Sequence, residues 1–331
     1  MELLFNMLKQ TELDFSKINN DTLKYRFIDL FAGIGGIRTG FERVFKHSKC
    51  VFSSEIDKYA RISYETNYNE TPFGDITKIK EEDVLAHDII LAGFPCQAFS
   101  IAGLRRGFDD TRGTLFFDVA RIAKYHRPKV IFLENVKGFV NHDKGNTFKI
   151  VKKTLEEIGY KVFYKILNAK NFGVPQNRER IYIVAFLNNS IDFSFPESIS
   201  KDVKVGDILE SNVDSKYTIS NRLWLGHQRR KEEHKQKGNG FGYCLFNHES
   251  KYTSTISARY YKDGSEILIY QEGKNPRKLT PREAARLQGY DDGFKIIVSD
   301  TQAYRQFGNS VAVPVIEEIA KKIKLALDLV V

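Results

Sequence analysis

The chain has 331 residues, 42% hydrophobic and 28% charged, which is enough to bury a large core and to hold one large domain beside a smaller one. No apolar stretch approaches bilayer-spanning length. No basic segment precedes an apolar core at the amino terminus, so neither a membrane span nor a signal peptide is expected. A net charge of +9 and a pI near 9.2 suit a polyanionic partner, and three scattered cysteines (Cys50, Cys96, Cys244) speak for a reducing, cytoplasmic compartment and against a disulfide or zinc scaffold.

In chain order, residues 1–24 are polar and read as a peripheral arm or short helix. Residues 25–31 read as a first strand, 32–36 as a glycine turn, 37–45 as a helix and 50–54 as a second strand that ends at Glu55. Apolar runs at 88–94, 130–134 and 180–186 give further strands, with helical patterns at 115–125 and 147–158. This alternation predicts an α/β fold with a doubly wound, mostly parallel sheet. Past Phe186 the composition shifts to Lys, Asn, Tyr, Ser and Gly, and residues 191–300 are expected to form a second, smaller, irregular β-rich domain. The tail at 313–330 is amphipathic and should pack back on the first domain, so the expected division is 1–190 plus 301–331 against 191–300.

Several motifs carry chemistry. Residues 93–100 (GFPCQAFS) follow the third strand, and Pro95 cannot continue a ladder, so Cys96 should sit at the sheet edge where open α/β sheets bind ligands. The first strand leads into Gly33, Gly35 and Gly36, which let backbone approach a ligand closely. Glu55 lies 19 residues beyond Gly36, where a carboxylate can accept both ribose hydroxyls of an adenosine cofactor. The turn itself leaves a dinucleotide and S-adenosylmethionine both open. Glu134 ends another strand and should reach the same edge as Cys96. Arg178 and Arg180 alternate onto one face and suit a carbonyl or carboxylate, a structural salt bridge being the other reading. Residues 216–237 hold seven Lys/Arg against two acids, either a solvated helix face or a phosphate-facing surface.

Together these residues resemble one family, the cytosine-C5 DNA methyltransferases of bacterial restriction–modification systems. Six blocks carry the likeness in family order: FAGIGG at 31–36, GFPCQAFS at 93–100, ENVKGF at 134–139, QNRERIYIVAF at 176–186, RKLTPREAARLQGY at 277–290 and QFGNSVAVPV at 306–315. The resemblance implies a class I methyltransferase fold, S-adenosylmethionine as methyl donor, no metal, double-stranded DNA as substrate, a cognate restriction endonuclease as functional partner, a monomer, and a bacterial cytoplasm. It implies Cys96 as nucleophile at cytosine C6, Glu134 at N3, and Arg180 at O2 with Arg178 in support. For the cofactor it implies Phe31, Gly33, Gly35 and Gly36 along the methionine and ribose, Glu55 on the ribose, Asp75 on the adenine amino group, and Pro95, Leu115, Asn309 and Val311 around the site. Ile56 departs from the aromatic residue common there and offers only an aliphatic contact to adenine.

Residues 100–112 resemble the loop that the family closes over DNA, and the resemblance implies DNA contacts for Ser100 and Arg112 at its ends and for Gln97 in the GFPCQAFS block. In the smaller domain, implied to recognise the target, Thr255 and Arg259 are the candidate contacts. Residues 238–243 and 257–264 resemble segments of enzymes that methylate within CCGG, CCWGG or CCNGG. Three alternatives stand beside this reading: a tRNA cytosine-C5 methyltransferase, a catalytically silent DNA-binding regulator, and a nicotinamide or flavin oxidoreductase.

Overall fold

The computed structural model describes residues 23–95, 115–199 and 201–330. Chain order begins β1 (Tyr25–Leu30), α1 (Gly36–Val44), β2 (Ser48–Ser54), α2 (Lys58–Tyr68), β3 (Ile89–Ala92), α3 (Phe116–His126), β4 (Val130–Val136), α4 (Asn146–Glu157), β5 (Lys161–Asn168) and β6 (Glu179–Phe186). It continues with α5 (Asn221–Gln236), β7 (Leu245–Phe246), β8 (Leu268–Ile269), α6 (Pro281–Leu287), α7 (Asp300–Asn309) and α8 (Val313–Asp328).

The first six strands form one sheet in the order β2-β1-β3-β4-β6-β5. The β1–β2, β1–β3 and β3–β4 pairs are parallel, while β6 runs antiparallel to both β4 and β5. Strand order reverses about β1, whose neighbours lead to opposite edges, so the crevice beyond the carboxyl ends of β1 and β3 is the topological switch point. Because β6 is reversed, its amino-terminal end reaches this same edge, with Arg180 opposite Val136.

Alternation along the strands builds two cores. Phe27, Leu91, Phe132 and Tyr182 face α1 and α8 through Phe41, Val315, Ile316 and Ile319. Ile28, Ile90, Leu133 and Ile183 face α3 and α4 through Val119, Ile122, Val151 and Leu155. The tail thus packs back as its amphipathic pattern predicts. No helix among the described residues is long and apolar enough to cross a membrane.

Two local expectations need correction. Residues 161–168 form strand β5, absent from the elements expected above; it is an edge strand whose Tyr164, Lys165 and Ile166 are exposed, so the burial that makes the other strands legible is missing. Residues 191–300 are irregular as expected, but not β-rich: among the described residues their named strands are only β7 and β8, two residues each, and their longest regular element is the helix α5. A third core holds this region together, in which Ile256, Tyr260, Ile267, Leu279 and Leu287 pack with Tyr304, Phe307 and Val313 of the carboxy-terminal part.

Candidate active site

The switch-point crevice is a cavity of about 440 Å3. Its walls come from the turn after β1 (Phe31, Gly33, Gly36), the end of β2 (Glu55, Ile56), the segment after β3 (Gly93, Phe94, Pro95), Leu115, the β4 end (Glu134), the β6 approach (Arg178, Arg180) and Asn309–Val311. Residues far apart in sequence therefore meet because parallel strands end at one edge.

The turn is built for close approach. Phe31 and Gly33 adopt φ of 54° and 55°, a left-handed conformation that is unusual for a bulky phenylalanine. Gly36 permits the tail to close down, since a Cβ there would lie 2.7 Å from the Ser310 and Tyr290 hydroxyl oxygens. Glu55 is held in place by two backbone donors: Gly33 N–H gives to Oε2 at 2.8 Å and Asp57 N–H gives to Oε1 at 2.7 Å. Burial pushes its carboxyl above the usual range, an upward shift that those two N–H groups only partly offset. Beside it, Ile56 is 72% exposed on the cavity wall, an apolar side chain with no protein cover. This wall fits an adenosine: a fixed acid for hydroxyls and an apolar face for a ring.

The opposite wall is charged. Arg180 Nε lies 3.2 Å from Glu134 Oε1, and both side chains are largely buried. Burial raises the Glu134 carboxyl above its ordinary value, opposed by the Arg180 and Arg178 charges. The salt-bridge reading of the arginine pair thus holds for Arg180 while the pair still opens on the cavity. Gly93 runs close beside this carboxylate: a Cβ on it would lie 3.8 Å from Glu134 Oε2, an ordinary contact.

Arg178 has a different surrounding. Its side chain is fully enclosed and donates to the carbonyls of Ile256 at 3.1 Å, Gly308 at 3.2 Å and Ser310. It therefore ties the smaller region and the tail to the β6 approach. Gln176 extends the tie, accepting from Ile256 N–H at 3.1 Å and donating to Leu287 O and Gln288 Oε1 at 3.1 Å. The motif at 277–290 is structural: Thr280 and Glu283 form a capping box on α6, and Arg277 grips Glu283 at 2.7 and 2.8 Å.

A model of the family described as C-5 cytosine-specific DNA methylase matches residues 25–325. The chain belongs to that family. It is 61% identical over 314 residues to the Type II methyltransferase M1.ScrFI of Lactococcus lactis subsp. cremoris, covering 94% of this chain and 80% of the relative. It is likewise 61% identical to M.NlaX of Neisseria lactamica (92% and 98% covered) and 47% identical to M.HpaII of Haemophilus parainfluenzae (91% and 89% covered). Among solved structures, the Entamoeba histolytica methyltransferase EhMeth superposes with a TM-score of 0.74 at 22% identity, over 93% of this chain and 99% of that one, which is a likeness of fold. The protein is accordingly a DNA cytosine-5-methyltransferase.

Measured against the expected site of this cytosine-5 methylase, most positions converge. Phe31, Gly33, Gly36, Glu55, Ile56, Pro95, Leu115, Asn309 and Val311 line the cavity together with Glu134, Arg178 and Arg180. Gly35 does not; at φ 79° it turns the chain into α1 and lends its carbonyl to the Tyr68 hydroxyl at 2.8 Å. Nor does Asp75, whose Oδ1 caps a short helical turn through Thr77 N–H and Oγ1 at 3.1 and 2.8 Å. Thr255 is half-buried and donates to the Asn177 carbonyl at 2.6 Å, a joint to the β6 approach, whereas Arg259 is exposed at the surface. Cys96, Gln97, Ser100 and Arg112 lie outside the described residues, as does the 1–22 stretch of the expected amino-terminal arm.

Sequence reasoning missed Asn135, which donates from Nδ2 to Phe94 O at 2.9 Å and so fastens the segment leading to Pro95 onto β4. It also missed the inner face of α7, where Gln302, Arg305 and Gln306 line the cavity. Asn135 sits inside a quoted motif beside Glu134, so proximity was its one signal.

Proposed function

We propose that this enzyme transfers a methyl group from S-adenosylmethionine to C5 of a cytosine flipped out of a short duplex recognition site, with Cys96 as covalent nucleophile. The observation that carries the reading is the Glu134–Arg180 pair, 3.2 Å apart and opening on the same cavity as Glu55 and Ile56. One wall suits an adenosine and the other suits the N3 and O2 edge of a pyrimidine. S-adenosylmethionine, when bound, supplies an electrophilic methyl group.

Cytosine C5 is too weak a nucleophile to accept that group unaided. The Cys96 thiolate attacks C6, forming a carbon–sulfur bond and pushing ring electrons toward C5 as an enamine. Glu134, whose carboxyl is raised above its ordinary value by burial, donates at N3 and relieves the charge that develops there. The Arg180 guanidinium, oriented by Glu134, donates to O2. C5 then takes the methyl group. A base removes the C5 proton, and the Cys96–C6 bond breaks to restore the aromatic ring and the thiolate. Flipping the base costs roughly a few kcal/mol, to be met by protein–DNA contacts.

The role of residues 191–300 is target recognition, supported by the basic surface of α5 and by the joints that hold this region over the β6 approach. Methylation of such a site protects host DNA from a cognate endonuclease. Purified protein given methyl-labelled S-adenosylmethionine should label duplex DNA and leave tRNA unlabelled. Duplex carrying 5-fluorocytosine, whose C5 fluorine cannot leave as a proton, should trap a covalent adduct on the Cys96 peptide. Labelling of tRNA alone, or an adduct at another residue, refutes the assignment.

A further inference from the structure

Three segments of the 191–300 region with a bearing on DNA meet at one side chain. They are the basic run 216–237, most of which is α5, and the segments 238–243 and 257–264. α5 is polar on nearly every side, and His227 is its one buried residue, 2% exposed. A helix takes a fixed place through the face it buries, and here that face centres on a histidine. His227 Nε2 lies 3.3 Å from the Asp263 carbonyl, and Nδ1 lies 2.9 Å from Arg230 Nη2. A guanidinium only donates and a carbonyl only accepts, so Nδ1 is the acceptor, Nε2 carries the proton, and the neutral ring is satisfied on both sides. Arg230 closes the triangle by donating to Asp263 Oδ2 at 3.3 Å. The 238–243 segment packs beside it: the Tyr243 ring lies against His227 and Trp224, and Lys231 Nζ sits 4.3 Å from the ring centre.

The 257–264 segment is itself anchored. Tyr260 is buried in the third core, donates to the Ile267 carbonyl at 2.6 Å and accepts from Leu279 N–H at 2.8 Å, while its neighbour Arg259 is exposed. We propose that His227 is a positioning residue for sequence recognition: with Arg230 and Asp263 it locks the basic face of α5 and the 257–264 segment into one register against duplex DNA. The inference rests on the reading that residues 191–300 recognise the target. The charge of α5 attracts any duplex, whatever the exact place of the helix. Discrimination among base sequences needs the phosphate-contacting and base-contacting elements fixed relative to each other. Loss of the lock should therefore cost specificity and spare non-specific affinity.

Bisulfite maps of 5-methylcytosine, made in a host without cytosine methylation of its own, test this. His227→Phe keeps a ring beside Tyr243 and removes both hydrogen bonds. Relative to the sequence that wild type methylates, it should raise methylation at sites differing by one base pair about tenfold. Its binding to a duplex of scrambled sequence, the salt slope of that binding, and its affinity for S-adenosylhomocysteine in calorimetric titration should be unchanged, the last serving as folding control. His227→Gln carries one acceptor and one donor and should keep the wild-type pattern. Arg230→Met and Arg229→Met form a charge-matched pair on the surface of α5, of which only Arg230 belongs to the lock. Arg230→Met should widen the pattern and Arg229→Met should not; should His227→Phe lose S-adenosylhomocysteine affinity, this pair decides alone. An unwidened pattern in His227→Phe and Arg230→Met would overturn the proposal, as would equal widening by His227→Gln and His227→Phe or by the two arginine variants. Wild type that methylates DNA without regard to sequence would instead overturn the target-recognition reading on which the proposal stands.

Discussion

The sheet edge and the 191–300 region place functional residues in opposite ways. At the edge, side chains project from the ends of four parallel strands and one antiparallel strand, each buried on both faces or pinned by its ladder. In the 191–300 region the chain has little ladder to rely on; beside its apolar core it is fastened to the β6 approach by backbone bonds of Thr253 to Pro175 and Asn177 and by side-chain joints: Arg178 to the Ile256 carbonyl, Gln176 to the Ile256 N–H, and Thr255 to the Asn177 carbonyl. The difference teaches that the cavity's side chains stand on a continuous ladder, whereas the region proposed to read the target is fastened by an apolar core and a small number of buried donors.

The sharpest way to break that comparison is at the edge itself. Glu134→Gln should lower the methyl-transfer rate about 10²- to 10⁴-fold with little change in S-adenosylhomocysteine affinity. The pH profile supplies the sign. The protonated acid is the active form and burial raises its pKa, so the wild-type rate should fall as pH rises through that raised value; the glutamine variant should lack this limb. A variant with full rate would remove Glu134 from the chemistry.

Next comes the joint. Arg178→Ala leaves the Ile256, Gly308 and Ser310 carbonyls without their donor and should cost roughly 3 kcal/mol in urea unfolding. Thr255→Val, which removes one half-buried hydroxyl, should cost only about 1 kcal/mol. Equal and small losses would show that the region is held by its apolar core alone.

The reading surface should respond to salt. Replacing Arg229, Lys231 and Lys235 of α5 by glutamine should weaken DNA binding and reduce the slope of log affinity against log salt by about one for each phosphate no longer neutralised. An unchanged slope would leave α5 as a solvated face. The smallest effect belongs to the cofactor wall, where Ile56→Trp should tighten S-adenosylhomocysteine by about 0.5–1.5 kcal/mol through stacking, read by the same titration.

How much of this was legible depended on burial. The strands 25–31, 88–94, 130–134 and 180–186 announce themselves because both faces of the sheet are covered and nearly every residue is apolar. β5 was silent because its outer half meets water. Glu55, Glu134 and Arg180 could be read because strand ends in such folds converge, whatever lies between them. Arg178 read as a pocket residue, but its three carbonyl partners lie about 80 to 130 residues away, a distance no local pattern encodes. Gln306 and Ser63 were illegible for the same reason: the bond joins α2 to α7 across 243 positions. The irregular 191–300 region misled in kind, since turn-rich composition is shared by short strands and by loops, and only the packed structure separates them.

The most direct test of the central claim is a bisulfite map of 5-methylcytosine in a host without cytosine methylation of its own, expressing wild type or Cys96→Ser. The account predicts new 5-methylcytosine confined to one short duplex sequence with wild type, and none with the serine variant. No new methylation from folded wild type that binds S-adenosylhomocysteine, or methylation that survives the loss of Cys96, would contradict it.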